Sequence, residues 1–374
     1  MDDVIVCGAG PAGSIAALLL ARAGVRVRLF DRARFPRDKL CGDTLNPGAL
    51  AILRRLGLEF AAAGGLPIRG MVVTGEPAVR VEGPYGDGMF GTSLLRRELD
   101  FALLEAAIAA GVNVEECVLV RDPIVEDGVV RGVSIAGAHG RSLSVRAPLV
   151  IAADGGRSRL ARALGLACHP AHPRRWAIGA YFEDVAGMSD CGEMHVRSDG
   201  YIGVAPLRGG LGNACVVTAN RQALADPINL LERTLHRDPV LAERFAHSRR
   251  VTPPSCLGPL AVESSACGVP GLLLAGDAAG FIDPMTGDGL RFAFRGAELA
   301  AAESIRALEH GYADAHLRLA AARRRDFKAK WRFNRALRAL VGSPVCVRVA
   351  AHGASWAPGI LQHAIRYAGD LRVA

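Results

Sequence analysis

Apolar residues follow two rhythms along this chain. Short unbroken runs at Val4-Ile5-Val6, Pro148 to Ala153 and Leu272 to Leu274 each end at a glycine-bearing turn, which predicts strands buried on both faces. Alternation takes over in Met71 to Thr92, Trp176 to Phe182, Gly192 to Val196, Gly200 to Leu207 and Leu211 to Ala219, which predicts an antiparallel sheet. Helical spacing marks Pro47 to Leu56, Arg96 to Ala110, Pro227 to Phe245, Gly289 to about Ala307 and Leu317 to Val341. Val112 to Val120 and Val125 to Ile135 read as β structure leading back to the strand at Leu149. The buried-strand rhythm that starts at residue 4 returns at 149 and again at 272, so the chain comes back late to an element it began at its start.

The turns carry the chemistry. Gly8, Gly10 and Gly13 form G-x-G-x-x-G between the first strand and an Ala/Leu-rich helix, the context a dinucleotide turn requires. Gly8 makes the tight turn, Gly10 lets a pyrophosphate approach, and Gly13 lets helix pack on strand. Asp31 ends the second strand where a carboxylate accepts hydrogen bonds from a ribose diol. After the last buried strand, Gly276-Asp277 breaks the run, Pro284 turns the chain, and Thr286-Gly287-Asp288-Gly289 opens a helix. The free N–H groups of such a start favour negative charge. Asp283 and Asp288 read as turn and helix caps.

These motifs, with Ala153-Asp154-Gly155-Gly156-Arg157-Ser158, resemble in order the three motifs of the para-hydroxybenzoate hydroxylase superfamily of FAD enzymes. The resemblance runs over nearly all of the chain. It implies an α/β fold: a Rossmann-like FAD-binding domain of the GR2 type, an inserted antiparallel β-sheet substrate domain, and C-terminal helices. Residues 1–70, 93–165 and 268–340 would form the FAD-binding domain, 71–92 and 166–267 the substrate domain, and 341–374 a helical tail. FAD would be held by Gly8, Gly10, Ala12, Gly13, Asp31, Arg32 and Asp154. Asp277, beside Gly276, would lie near the ribityl and pyrophosphate, and Gly287, Gly289 and Leu290 near the isoalloxazine. Arg96, in a stretch like the superfamily's Arg-x-x-Leu-Asp helix, would face the cofactor, and Val120 would hold the adenine through its backbone.

A narrower resemblance lies at Pro36, Lys39, Cys41 and Gly42, which match a segment of the geranylgeranyl reductase-like branch. Its members reduce prenyl double bonds, and their relatives hydroxylate or halogenate. Cys41 is the candidate catalytic residue, as a reactive thiol or as a small residue packed near the ring. The branch's Tyr-x-Trp-x-Phe-Pro strand stands here as Tyr201-Ile-Gly203-Val-Ala205-Pro206. Two large aromatics are gone, so the cavity is roomier or differently shaped.

Composition narrows the picture further. Half of the 374 residues are apolar, ample for a large core. The +8 charge rests on many arginines and only Lys39, Lys328 and Lys330 among lysines, without the aromatic interleaving of a nucleic-acid reader. Nine scattered cysteines without C-x-x-C argue against a disulfide framework, a zinc site or an iron–sulfur cluster. No leader or membrane-spanning run is visible, which points to the cytoplasm. Trp176, Tyr181, Phe182, Met194 and Tyr201 are candidate cavity residues, and His195 reads as hydrogen-bonded structure. The basic stretch Leu317 to Val341, with Phe327 and Trp331 one turn apart, is open to two readings. It is a docking face for an anionic membrane or acidic carrier, or a solvated face whose aromatics pack on the FAD domain.

The function expected is an FAD-dependent oxidoreductase with NADH or NADPH as transient reductant. The leading expectation is oxygenation of a bulky, largely apolar aromatic, polyketide or prenylated small molecule. Reduction of carbon–carbon double bonds is the alternative, then a halogenase or a flavin carrier without turnover.

Overall fold

The computed structural model describes residues 2–75, 79–86, 88–137, 141–171, 174–341, 343, 346, 349 and 358–369. The strand Val4–Cys7 lies in a six-stranded sheet, between Leu149–Ala152 and Val27–Phe30, with Leu272–Leu274 beyond the former and Asn113–Glu115 beyond the latter. These five run parallel, and Gly268–Val269 pairs antiparallel at the edge. Burial on both faces explains their unbroken apolar runs. One face is covered by helices α1 (Pro11–Arg22) and α3 (Arg96–Ala109), after α2 (Pro47–Arg55) in the chain, and by two long C-terminal helices. The other face packs on a three-stranded antiparallel sheet, Val120–Glu126, Val129–Ala136 and Ser142–Arg146.

A second, eight-stranded sheet is built mostly from the inserted segment. Its path runs Arg249–Arg250, Trp176–Glu183, Gly212–Thr218, Gly200–Pro206, Cys191–Arg197, Gly70–Gly75 and Val79–Pro84, with Ser255–Leu257 also paired to Trp176–Glu183. Alternation gives it two faces. Ile178, Phe182, Ile202 and Val216 pack on α5 (Pro227–Arg237) and α6 (Ala242–Phe245), which follow the short α4 (Arg159–Ala163). Ala177, Tyr201 and Val217 face the other way, onto Leu260 and Met285. Phe182 therefore belongs to the helix-facing core, edge-on to Phe245 at 5.2 Å, and is no cavity residue as the sequence suggested. His195 is fully buried between Thr74 (2.9 Å) and Glu193 (3.0 Å), a structural role.

Two long helices close the chain's return, α7 (Gly289–His310) and α8 (Ala315–Val341). On α8 the aromatics turn inward: Phe327 is fully buried against Phe292, with Trp331 at 5.6 Å, while Arg324, Arg325, Lys328, Arg332 and Arg335 are exposed. A last helix spans Pro358–Ala368; most of the tail before it lies outside the described residues. Among the described residues, no helix is long and apolar enough to cross a membrane.

Candidate active site

Strand register brings the motifs together. Cys7, Phe30, Ala152 and Leu274 stand level at one edge of the parallel sheet, so the turns that follow them meet at its carboxyl end. Gly8, at φ +101°, packs on the Ala153 carbonyl, and a Cβ at Gly13 would overlap the carbonyl of Gly8. Gly10 differs, since a Cβ there would meet only the Arg37 guanidinium, at 3.5 Å. The Asp31 carboxylate accepts the N–H groups of Ala9 (2.7 Å) and Ala33 (2.8 Å), tying the glycine turn to the second strand. A Cβ at Gly276 would come within 2.8 Å of the Ala12 methyl, and one at Gly156 within 3.9 Å of the Asp277 side chain.

The other expected residues sit around this junction in different ways. Arg32 is exposed beside Asp31. Val120 is partly buried at the start of its strand, two residues beyond Val118, whose N–H donates to the Asp31 carbonyl at 2.8 Å. Asp154 is engaged within the chain, accepting from the Arg159 N–H (2.8 Å) where Ser158 caps α4, and burial raises its carboxyl above the usual range.

A strap from Phe35 to Asp43 crosses from this junction to the second sheet. Arg96 is buried at the start of α3 and grips Asp100 through two hydrogen bonds, 2.8 and 2.9 Å. Arg37 approaches the same carboxylate at 3.3 Å. Burial works against the charge of Arg96, but Asp100 and a hydrogen bond to the Cys41 side chain outweigh it and hold the guanidinium protonated. Burial, with Arg96 and Arg37 nearby, lowers Lys39, while Asp277 and Asp100 pull the other way. Three cations thus gather beside two carboxylates, next to the open side of Gly10.

Asp43 anchors the strap, a role that none of the sequence motifs assigns to it. Asp43 is fully buried at φ +52°, a left-handed conformation that aspartate tolerates. It accepts from the Tyr181 hydroxyl (2.8 Å), the Asn213 amide and the Arg96 N–H (3.2 Å). Asn213 also donates to the Cys41 carbonyl at 2.7 Å. Its position two residues after Cys41 was the available signal.

The returning segment completes the site. Asp283 caps the turn before Gly287, accepting from the Met285 N–H (3.1 Å), and also accepts from the Tyr201 hydroxyl (2.6 Å) and Arg175 (2.9 Å). Asp288 does not cap α7 as its position suggested. Its buried carboxylate is drawn away by Asn46 (3.2 Å), Lys330 (3.2 Å) and Asn334 (3.3 Å), and among the described residues no side-chain cap bond forms at the helix start. The first N–H groups of α7 are therefore left to a ligand. Among the described residues, Thr286 Oγ1 is buried there without a hydrogen-bond partner, and a Cβ on Gly287, at φ +66°, would meet nothing within 4 Å. Gly289 and Leu290 begin the helix, Leu290 buried in the core.

Across from this helix start, the inner face of the second sheet presents its side chains in rows: Tyr181, Asn213 and Ala205, then Gly179, Cys215, Gly203 and Met194. A Cβ at Gly203 would meet no atom closer than 3.9 Å, and Leu40 of the strap closes over Gly179. Trp176, at the start of its strand and in the alternation of Ile178 and Phe182 rather than of the inner row, lines a groove of about 800 Å³ with Arg157, Cys256 and Leu257.

The donor set fits FAD: an open glycine at a phosphate turn, a carboxylate at the second strand's end, clustered cations and an uncapped helix start with an orphaned hydroxyl. Residues 1–232 match the family described as FAD binding domain. The menaquinone reductase of Mycobacterium tuberculosis is 33% identical over 320 residues, covering 80% of this chain and 75% of that protein. Digeranylgeranylglycerophospholipid reductase 2 of Methanopyrus kandleri is 29% identical over 330 residues, 82% of this chain and 78% of that one. Among solved structures, the myxobacterial chondrochloren halogenase superposes with a TM-score of 0.81 at 26% identity, covering 90% of this chain and 81% of its own. The chain belongs to the FAD binding domain family, in its geranylgeranyl reductase-like branch, and is an FAD-dependent oxidoreductase.

Proposed function

We propose that the protein reduces a bulky, largely apolar prenylated substrate, of which a menaquinone is the first to try, with electrons from NADH or NADPH. FAD, when bound, supplies the hydride chemistry. Gly8, Gly10, Ala12, Gly13, Asp31 and Arg32 would hold its adenosine and pyrophosphate, with Val120 at the adenine. Arg96, Asp154, Gly276 and Asp277 would hold the middle of the molecule, and the α7 start at Gly287, Gly289 and Leu290 the ring. Arg37 and Lys39 add positive charge where the phosphates would lie.

One observation carries the reading: the Phe35 to Asp43 strap is locked by Arg96, Tyr181 and Asn213 so that the Cys41 side chain bonds Arg96 and lies within electrostatic reach of Cys215, the cross-strand neighbour of Gly203. The similarity to two reductases supports it. Cys41 serves here as a neighbour of the reacting atoms, positioned by Arg96. The test is anaerobic incubation of flavin-loaded protein with NADPH or NADH and menaquinone, with mass spectrometry of the extracted quinone. A product heavier by two hydrogens is expected; unchanged quinone together with rapid oxidation of other prenyl lipids in air would overturn it.

Oxygen transfer is the second reading, and the small residues Gly203 and Ala205 favour it. They leave room for a ring system where the branch carries aromatics. Incorporation of labelled dioxygen into product would select it.

A further inference from the structure

Asp43 is a buried carboxyl with an unusual set of neighbours. Three separate elements aim donors at it: Tyr181 from one strand, Asn213 from the adjacent strand, and the first N–H of α3. Burial is the largest influence and pushes its pKa up to about 6, although Tyr181, Asn213 and Arg96 pull it down. Tyr181 is itself raised by burial and then by Asp43, so it stays protonated across the physiological range. The other titratable or charged groups acting on the pair are Arg96, Cys41 and Asp38, together with Cys215 from the neighbouring strand. Arg96 keeps its charge and Cys215 its proton.

Tyr181 is half-buried, and its row on the sheet adjoins the row of Gly203, where the face is open. Its hydroxyl thus stands between a shielded carboxyl and the space assigned to substrate. In the protonated state of Asp43 the hydrogen bond reverses, and the Tyr181 hydroxyl is released to donate toward that space.

We propose that Tyr181 delivers the proton that accompanies reduction and that Asp43 replenishes it. The inference rests on the reductase reading. Reduction of a double bond or quinone adds one hydride and one proton. The hydride, supplied by the reduced cofactor, forms the new bond at one atom with its own electron pair. The displaced π pair takes the proton from Tyr181 Oη. The phenolate oxygen takes the proton of Asp43, leaving a neutral tyrosine and a carboxylate that regains a proton from hydronium or buffer acid in the bulk solvent. Tyr181 is the catalytic residue of this pair, and Asp43 acts through it.

The test compares flavin-loaded wild type, Asp43→Asn and Tyr181→Phe, with flavin content as the check on folding. Infrared difference spectra between pH 5 and 8 should show, beside any band from the buried Asp154 and Asp288, a carboxyl component in the wild type that is missing in Asp43→Asn and shifted in Tyr181→Phe. Anaerobic quinone reduction by the wild type should slow as pH rises through about 6. Each variant should lose on the order of 10²-fold in rate, Asp43→Asn should lose the pH inflection, and the double variant should match the singles. A wild-type rate and pH profile in fully yellow Asp43→Asn would overturn the proposal, as would the lack of any carboxyl component in that window that Asp43→Asn removes. If Asp43→Asn fails to fold, Tyr181→Phe decides the same question through its band shift and rate. If no prenylated substrate is reduced, the functional reading fails separately, while the infrared titration still shows whether the pair shares a proton.

Discussion

Tyr201 donates its hydroxyl to Asp283 across 2.6 Å, joining the inner face of the second sheet to the loop that leads into α7. Arg175 holds the other oxygen of that carboxylate at 2.9 Å, and all three side chains are buried. The tyrosine retained from the branch's aromatic strand therefore fixes the turn that sets the uncapped helix start.

Tyr201→Phe removes a buried hydrogen bond to a charged group. The expected cost is about 1.5–3 kcal/mol in unfolding free energy, with flavin lost more readily on gel filtration because the turn before Gly287 is less fixed. Unchanged stability and flavin retention would show that Arg175 alone sets the loop.

Two glycines of the same motif should fail differently. Gly10→Val adds bulk where only Arg37 stands nearby, so the protein should fold yet remain colourless, its phosphate turn blocked. Gly13→Val drives side-chain atoms into the Gly8 carbonyl between helix and strand, and soluble protein should be lost. Asp31→Ala should also give colourless protein, because it frees both Ala9 and Ala33. Circular dichroism and visible absorbance separate these outcomes.

Much of this architecture was legible because its signals are local. A strand buried on both faces must be apolar throughout, so Val4–Cys7, Leu149–Ala152 and Leu272–Leu274 announce themselves, and the glycines that end them mark the carboxyl edge. The inserted strands Trp176–Glu183, Cys191–Arg197 and Gly200–Pro206 keep their alternation and were placed to within about a residue. What stayed hidden depends on partners far along the chain. Asp43 meets Tyr181 and Asn213, and Asp288 meets Asn46 and Lys330, pairings no local window contains. Asp288 was misread because a helix-start aspartate caps by default unless a buried cation competes for it. The scarcity of lysine was a signal left unused: two of the three, Lys39 and Lys330, stand in ionic clusters beside the site.

Lys330 is the cation that lets Asp288 stay buried, and it also donates to the carbonyls of Tyr367 (2.5 Å) and Ala368 (2.9 Å). Burial already raises the Asp288 carboxyl, and Lys330 is the main opposing influence. Lys330→Met should cost about 3–5 kcal/mol by leaving a buried charge without its partner. Adding Asp288→Asn should recover part of that loss. Denaturant unfolding of both variants checks this, and equal midpoints would mean that the carbonyl contacts to the last helix matter more than the ion pair.

Asp43 also makes a prediction about stability that is independent of any substrate. Its carboxyl titrates near 6 in the folded chain, above the ordinary aspartate value of about 4, and burial is the main cause. Between those two values the folded protein holds a proton that the unfolded chain has released. Unfolding in that window therefore releases a proton, and this group's contribution to stability falls as pH rises from about 4 to about 6. The slope is on the order of 1 kcal/mol per pH unit at its steepest, and the contribution is flat above it. Asp154 and Asp288 are raised by burial too, so the whole-protein curve contains their contributions as well. The informative quantity is the difference between wild type and Asp43→Asn, since an amide cannot titrate and the other groups cancel. Urea unfolding of both proteins from pH 4.5 to 7.5 should give a constant difference at high pH, the wild type gaining relative to the variant as the pH falls below about 6. A difference that stays constant over the whole range would mean that Asp43 is ionised throughout, held so by Arg96 and the start of α3, and that it serves only to cap the helix.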